Sequence, residues 1–199
     1  MAQTILGGIH RFGFGVEQDN EVAAKWFRKA ADQGNAEAQF NLGIMYKYGQ
    51  GFKHDSVEAV RWYRKAAEQG FWMAQFGLGV FYELGDGVKQ DYVEAVKWYR
   101  KAAEQGIVWG QINLGKMYES GKGVEQDNEE AINMFYEAGQ SYLKMGHREG
   151  ALSALEHITN LNPNHPLGKT LNAQIHGEEA EDMKSLPGTG NENTSKQHR

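Results

Sequence analysis

AQFGLGVFYELGDGVKQDYVEAVKWYRKAAEQG, residues 74–106, is the stretch that decides the fold of this 199-residue chain. Apolar residues recur every three or four positions in both of its halves, as they do along one face of a helix: Ala74, Leu78, Phe81 and Tyr82, then Ala95, Trp98, Tyr99 and Ala102. Gly85 and Gly87 separate the halves, and glycine ends helices because it takes positive φ without a steric penalty. The stretch therefore predicts two short helices joined by a glycine turn.

The same pattern occurs four times along the chain. Equivalent glycines stand at Gly15, Gly51, Gly87 and Gly123, a period of 36 residues. The same offset relates Asp19, Asp55, Asp91 and Asp127, the Leu-Gly pairs that begin at Leu6, Leu42, Leu78 and Leu114, and Trp26, Trp62 and Trp98 with Met134. Two short antiparallel helices cannot bury their faces alone, so each pair must stack on the next. We expect an all-α fold, an α–α solenoid of antiparallel helix pairs.

An aspartate begins the second helix of each unit, and a glutamate follows three residues later, as in Asp91 and Glu94. This spacing is typical of a capping box, in which the two side chains satisfy amides at both ends of the first turn. We expect Trp62 and Trp98 to be buried between these helices, and Gly49, Gly85 and Gly121 to end the first helices.

The repeated motif resembles the Sel-1-like repeat, a relative of the tetratricopeptide repeat. The motif comprises Leu-Gly-x-x-Tyr, a Gly-x-Gly turn, Asp-x-x-x-Ala-x-x-Trp and Ala-Ala-x-x-Gly, and it covers residues 1–139 in about four units, the first incomplete. His10, Met134 and Gly139 depart from it. The resemblance implies a right-handed superhelix that acts as a non-enzymatic adaptor or scaffold, with a partner segment on its concave face.

A second pattern begins inside the fourth unit. Residues 135–176 resemble a tetratricopeptide-like unit with a capping helix: a helix at 128–145, a turn at Gly146, a helix to about Asn160, and a short helix at 167–176. From Gly177 onward the sequence is acidic and then polar, with little to bury. We expect residues 177–199 to be a disordered tail.

Composition restricts the function classes. The chain has no cysteine, so thiol catalysis, disulfides and cysteine-ligated metals are excluded. A net charge of −5 disfavours nucleic acid as a partner. No apolar run approaches the ~20 residues of a membrane span. We expect a cytoplasmic protein, or a periplasmic or secreted one if a signal precedes this sequence.

Motifs for catalysis, cofactors and metals are absent from the sequence. Arg64 and Lys65 with Glu68 fit a solvated helix face, and the histidines lack the His-x-x-x-His spacing of a helical zinc site. We expect neither an enzyme nor a bound cofactor. A hydrolase or cell-wall-associated protein, similar to cysteine-rich Sel-1-like relatives, is an alternative, as is a piece of a longer solenoid. Residues 186–190 match a sortase signal without the apolar stretch that follows in sortase substrates.

The partner site is predicted on the first helix of each unit, because that helix lines the groove in tetratricopeptide-type solenoids. The groove positions are Phe40, Ile44, Lys47, Met73, Phe76, Val80, Glu83, Trp109, Ile112, Lys116 and Glu119. Several are apolar, where an idle solvated face is mostly charged. They either fill space between adjacent units or accept a protein or peptide partner. Self-association through the first repeat is a further possibility.

Overall fold

The computed structural model describes residues 1–185. Within this range the chain forms ten helices and no strand: α1 (Ala2–Phe12), α2 (Asn20–Asp32), α3 (Ala36–Tyr48), α4 (Ser56–Glu68), α5 (Trp72–Leu84), α6 (Tyr92–Glu104), α7 (Val108–Ser120), α8 (Asn128–Lys144), α9 (Arg148–Leu161) and α10 (Pro166–Ser185). Consecutive helices pack against each other throughout this range. The all-α solenoid that the repeat predicted is confirmed.

The first helices of the four units (α1, α3, α5 and α7) all end at a glycine. Gly49, Gly85 and Gly121 have φ values of 65°, 71° and 65°, as expected for left-handed C-caps. The amide of each cap donates to a carbonyl in the last turn of its helix, such as Phe81 for Gly85. This confirms the predicted division of each unit into two helices.

The capping-box prediction is correct for the aspartates and wrong for the glutamates. Asp55 Oδ1 accepts a bond from the amide of Glu58 at 2.9 Å. The Asp55 amide, which the glutamate was expected to satisfy, donates to the carbonyl of Tyr46 at 3.0 Å. The reason is that the connection folds back against the first helix. The Glu58 carboxylate accepts bonds from Arg61 and Trp62.

Alanines and aromatic residues fill the core. Trp62 and Trp98 are 4% and 7% exposed, so their predicted burial is confirmed. Gly79 lies against the ring of Tyr99, where an added Cβ would stand 2.5 Å from a ring carbon. The small residue of each Leu-Gly pair therefore makes room for an aromatic ring of the second helix.

Two kinds of polar bond recur along the repeats, a Gln–Gln bond within a unit and an Arg–Tyr bond between neighbouring units, and the sequence analysis identified neither. Gln105 Nε2 donates to Gln75 Oε1 at 2.6 Å, and Gln75 is 5% exposed. Arg64 donates to the Tyr82 hydroxyl at 2.5 Å, with its guanidinium 5.7 Å from the ring centroid. Equivalent bonds join Gln69 to Gln39, Arg28 to Tyr46 and Arg100 to Tyr118.

The last three helices follow the predicted bounds closely at first. Helix α8 ends at Lys144 and α9 at Leu161, and Gly146 lies between them with a φ of 67°. Helix α10 continues to Ser185, beyond the predicted end at 176 and into the segment expected to be disordered. The sortase-like motif at 186–190 and the remainder of the predicted tail lie outside the described residues.

Candidate binding surface

The predicted groove positions lie on α3, α5 and α7. We call these eleven residues the candidate groove. Trp109 and Lys116 are exposed, and the other members are partly buried. Five of the apolar members pack against the main core: Phe40, Ile44, Phe76, Val80 and Ile112. These five residues form the floor of the candidate groove. They contribute to packing, as one of the two interpretations predicted, while part of each side chain stays accessible, and partner binding stays a prediction.

Neighbouring aromatic rings, most of them on the second helices, pack against the groove floor. The Phe40 ring meets Tyr63 edge-on at 5.1 Å between centroids and lies 5.2 Å from Phe71. In the next unit, Phe76 lies 5.9 Å from Tyr99. These contacts hold the floor residues in place from below.

Trp109 is the most exposed apolar member of the candidate groove, at 55%. Its ring stacks on Trp72 at 6.4 Å and lies 6.2 Å from Phe76. Both neighbours belong to α5, so the indole bridges two adjacent first helices. The result is an aromatic surface that is ordered by stacking and open to solvent on its other side.

Charged residues line one edge of the candidate groove. The Lys47 ammonium lies 4.8 Å above the ring of Phe81, on the next first helix. Glu83 Oε2 accepts a bond from the Tyr99 hydroxyl at 2.5 Å. Burial, followed by this bond to a carboxylate, raises the pKa of Tyr99 well above its usual range. Tyr99 is therefore a neutral donor that fixes Glu83 at the edge.

Arg11 belongs to the same edge, although the sequence analysis did not place it there. It stands 36 residues before Lys47, so the repeat period alone would have identified it. Its guanidinium donates to Asn41 Oδ1 at 2.9 Å and so reaches from α1 to α3. Burial lowers its pKa, and an arginine remains charged at neutral pH even so.

A polar cavity of about 420 Å³ lies between α6, α7 and α8. Glu104, Glu130 and Glu137 line it together with Arg100. Arg100 donates to the Tyr118 hydroxyl at 2.7 Å, and Gln111 donates to Glu137 at 3.2 Å, so Arg100 and Glu137 are engaged in structural bonds. Among residues 1–177, whose side chains the structure describes, no cluster of three or more potential metal ligands is found.

None of the described helices combines the length and apolar character of a membrane span.

Comparisons with known proteins agree with the repeat architecture. The family model "Sel1 repeat" matches residues 1–35, 36–71, 72–107 and 110–141. A comparison with curated proteins gives no match.

Solved structures give the same answer. A Sel1 repeat protein from Oxalobacter formigenes is 36% identical with a TM-score of 0.67, over 81% of this chain and 73% of that one. A protective antigen of uropathogenic Escherichia coli with an SLR fold is 30% identical with a TM-score of 0.69, over 91% of this chain. This chain spans only 46% of that antigen. A Pseudomonas aeruginosa protein, 21% identical with a TM-score of 0.52 over 90% of this chain and 69% of that one, shares the fold. The chain belongs to the Sel1 repeat family.

Proposed function

We propose that this protein is a non-enzymatic adaptor that binds a segment of a partner protein in the candidate groove. Sel1 repeat proteins are generally scaffolds that mediate protein–protein interaction. The observation that carries the proposal for this chain is Trp109, a tryptophan 55% exposed yet held by stacking on Trp72. A preordered aromatic side chain loses little conformational entropy on binding, which favours its use as an anchor.

The surroundings of Trp109 suit an apolar partner surface. Phe76 and Ile112 are partly buried beside it, and Val80 continues the apolar floor toward the other end of α5. Covering such a floor removes apolar area from water, which contributes about 25 cal/mol for each Å² buried. Contiguous apolar surface of this kind marks interaction sites in soluble proteins.

The test selects binding peptides from a random library of 16-residue peptides displayed on phage, with the full chain immobilised. Selected peptides are then synthesised, and their dissociation constants are measured by fluorescence anisotropy. We expect Trp109→Ala and Phe76→Ala to weaken binding at least about 30-fold, because anchor residues contribute 2 kcal/mol or more. Glu119→Ala, at the edge, should change affinity less.

Trp26→Ala is the matched control. Trp26 is a partly buried tryptophan on α2, outside the candidate groove, and the Lys29 ammonium lies 4.8 Å from its ring. Circular dichroism must show that each variant keeps its helical content. Equal losses for Trp26→Ala and Trp109→Ala, or a loss with Glu119→Ala alone, would rule out the groove as the binding surface.

A further inference from the structure

The charged edge of the candidate groove changes sign once along the solenoid. Arg11, Lys47, Glu83 and Glu119 occupy the same position in four successive units, at intervals of 36 residues. We call them the charged row. Its first two members are basic and its last two acidic, so the row has a positive half on α1 and α3 and a negative half on α5 and α7.

Contacts between units show that the basic members of the row each reach from one first helix to the next. Arg11 reaches Asn41 on α3 at 2.9 Å, and the Lys47 ammonium lies 4.8 Å from the Phe81 ring on α5. Each of these two cations therefore extends toward the next first helix. Glu83 is held by Tyr99 through one oxygen, Oε2.

Other charges near the row do not remove its polarity. Lys116 is exposed and lies one turn before Glu119 on α7, so it offsets part of the negative charge there. The equivalent position on α5 is Val80, so Glu83 has no basic neighbour at that place. Glu37 is at the other end of α3, ten residues from Lys47 and therefore about 15 Å along the helix axis.

A partner with charge of one sign is attracted by one half of the row and repelled by the other. A segment with acidic residues at one end and basic residues at the other is attracted by both halves, in one orientation only. The apolar floor offers few groups that would bond an extended backbone, whereas a helix satisfies its own backbone bonds. The occupant that fits both features is an amphipathic helix with opposite charges at its two ends.

We propose that the partner segment is such a helix, with its acidic end over α1 and α3 and its basic end over α5 and α7. This inference rests on the proposed function, since it specifies what the candidate groove binds. Neighbouring first helices spaced about 10 Å apart give the row a length of about 30 Å. A helix of about 20 residues spans that length.

The experiment uses three synthetic peptides of about 20 residues with one shared apolar stripe. The first carries glutamates at one end and lysines at the other, the second only glutamates, and the third only lysines. Binding to the full chain is measured by fluorescence anisotropy at low and at physiological salt. We expect the first peptide to bind at least about tenfold more tightly than either of the others, and raised salt to reduce this advantage.

A charge exchange identifies the residues responsible. Lys47→Glu combined with Glu83→Lys keeps the net charge and the apolar floor, and should weaken the first peptide at least about tenfold. The matched control is Lys89→Glu combined with Glu125→Lys, two exposed residues that are also 36 positions apart and outside the candidate groove. The control should leave the affinity unchanged.

A paramagnetic label on the glutamate end of the first peptide tests the orientation. We expect it to broaden the amide signals of α1 and α3 rather than those of α7. Equal affinity for all three peptides, with binding still lost in Trp109→Ala, would overturn the charge inference and leave the groove proposal intact. Failure of every peptide to bind, or binding unaffected by Trp109→Ala, would overturn both.

Discussion

The middle repeats and the C-terminal helices are held together by different kinds of contact. Between residues 36 and 107 the same bonds recur because the same residues recur. Gln69 donates to Gln39 at 2.7 Å, and Gln105 donates to Gln75 at 2.6 Å one unit later. Those two bonds join the helices within a unit. Between units, Arg64 donates to Tyr82 and Arg100 donates to Tyr118 one unit later, so each unit meets its neighbour through a copy of the same interface.

The contacts in α8–α10 each occur once. The rings of Phe135 and His157 stack with centroids 4.5 Å apart, and His165 bonds Glu129 at 3.1 Å. Leu171 on α10 fills the space beside Gly139 on α8. The difference teaches that a solenoid extends by copying an interface and ends by replacing it. A destabilising substitution should therefore affect the stability of more of the chain in one region than in the other.

The largest effect is expected from Trp98→Ala in the middle of the repeats. The indole is 7% exposed, so its removal leaves a cavity and should lower the free energy of unfolding by about 3–5 kcal/mol. Urea denaturation followed by circular dichroism measures the change. Trp109→Ala is the control, because a side chain 55% exposed should cost far less. Similar values for the two variants would contradict the stacking of units through Trp98.

Leu171→Ala tests the C-terminal side of the comparison. Leu171 is fully buried, and its loss should cost about 3 kcal/mol. We expect the damage to remain local, because α10 packs mainly against α8 and α9. Hydrogen exchange should speed up in α8–α10 and stay slow in α4–α6. The control is Leu78→Ala. The Leu78 side chain is buried in the repeats, so its loss should speed up hydrogen exchange both in α4–α6 and in α8–α10. Equal exchange in α4–α6 for both variants would show that the chain unfolds as one unit.

The sequence predicted the repeats well because their period is a local signal. The ends of α3, α5 and α7 follow from single glycines, and the starts of the second helices follow from single aspartates. The C-terminal bounds of α8 and α9 were predicted almost as well, from Gly146 and Pro163. Helix α10 was predicted too short, because the boundary was placed at a change in polarity rather than at a helix-ending residue.

Contacts between units were the part that sequence reasoning missed. Arg64 donates to Tyr82, 18 positions away, whereas helical spacing suggested Glu68. Arg100 donates to Tyr118 over the same separation. Such partners depend on how the units stack, and the period gives the spacing of units without their relative orientation. The candidate groove was predicted from the first helices of the second, third and fourth units, and Arg11 was omitted because it lies in the first unit, from which no positions were taken.

A glycine with positive φ occurs at a turn in each region, and the two glycines allow the regions to be compared by the same substitution. Gly85 has a φ of 71°, and an added Cβ would lie 3.1 Å from the Gln90 side chain. Gly146 has a φ of 67° with open space around it. Gly146→Ala should cost about 1 kcal/mol, for the backbone conformation alone, and Gly85→Ala about 2 kcal/mol, because Gln90 must also shift. Thermal unfolding measures the loss of stability in both variants. A larger loss for Gly146→Ala would show that the space available to the added Cβ does not explain the difference between the two turns.

The smallest expected effects on stability come from removing single hydrogen bonds, one between two helices and one within a helix. The Tyr99 hydroxyl, on α6, donates to the Glu83 carboxylate on α5, whereas Gln140 donates to the Tyr136 hydroxyl within α8. Tyr99→Phe should cost about 1 kcal/mol at neutral pH and Tyr136→Phe about 0.5 kcal/mol, because a bond to a charged acceptor is the stronger.

The Tyr99 contribution also depends on pH. Burial and the bond to Glu83 raise its pKa in the folded state, whereas in the unfolded chain the phenol ionises near pH 10. The unfolded state therefore releases this proton first, and the stabilisation is lost as pH rises above about 10. We expect urea denaturation at pH 8 and pH 11 to show the gap between wild type and Tyr99→Phe shrinking at the higher pH. A gap that stayed constant would mean that Tyr99 ionises equally in both states, and its bond to Glu83 could not then be the contact that fixes this edge of the groove.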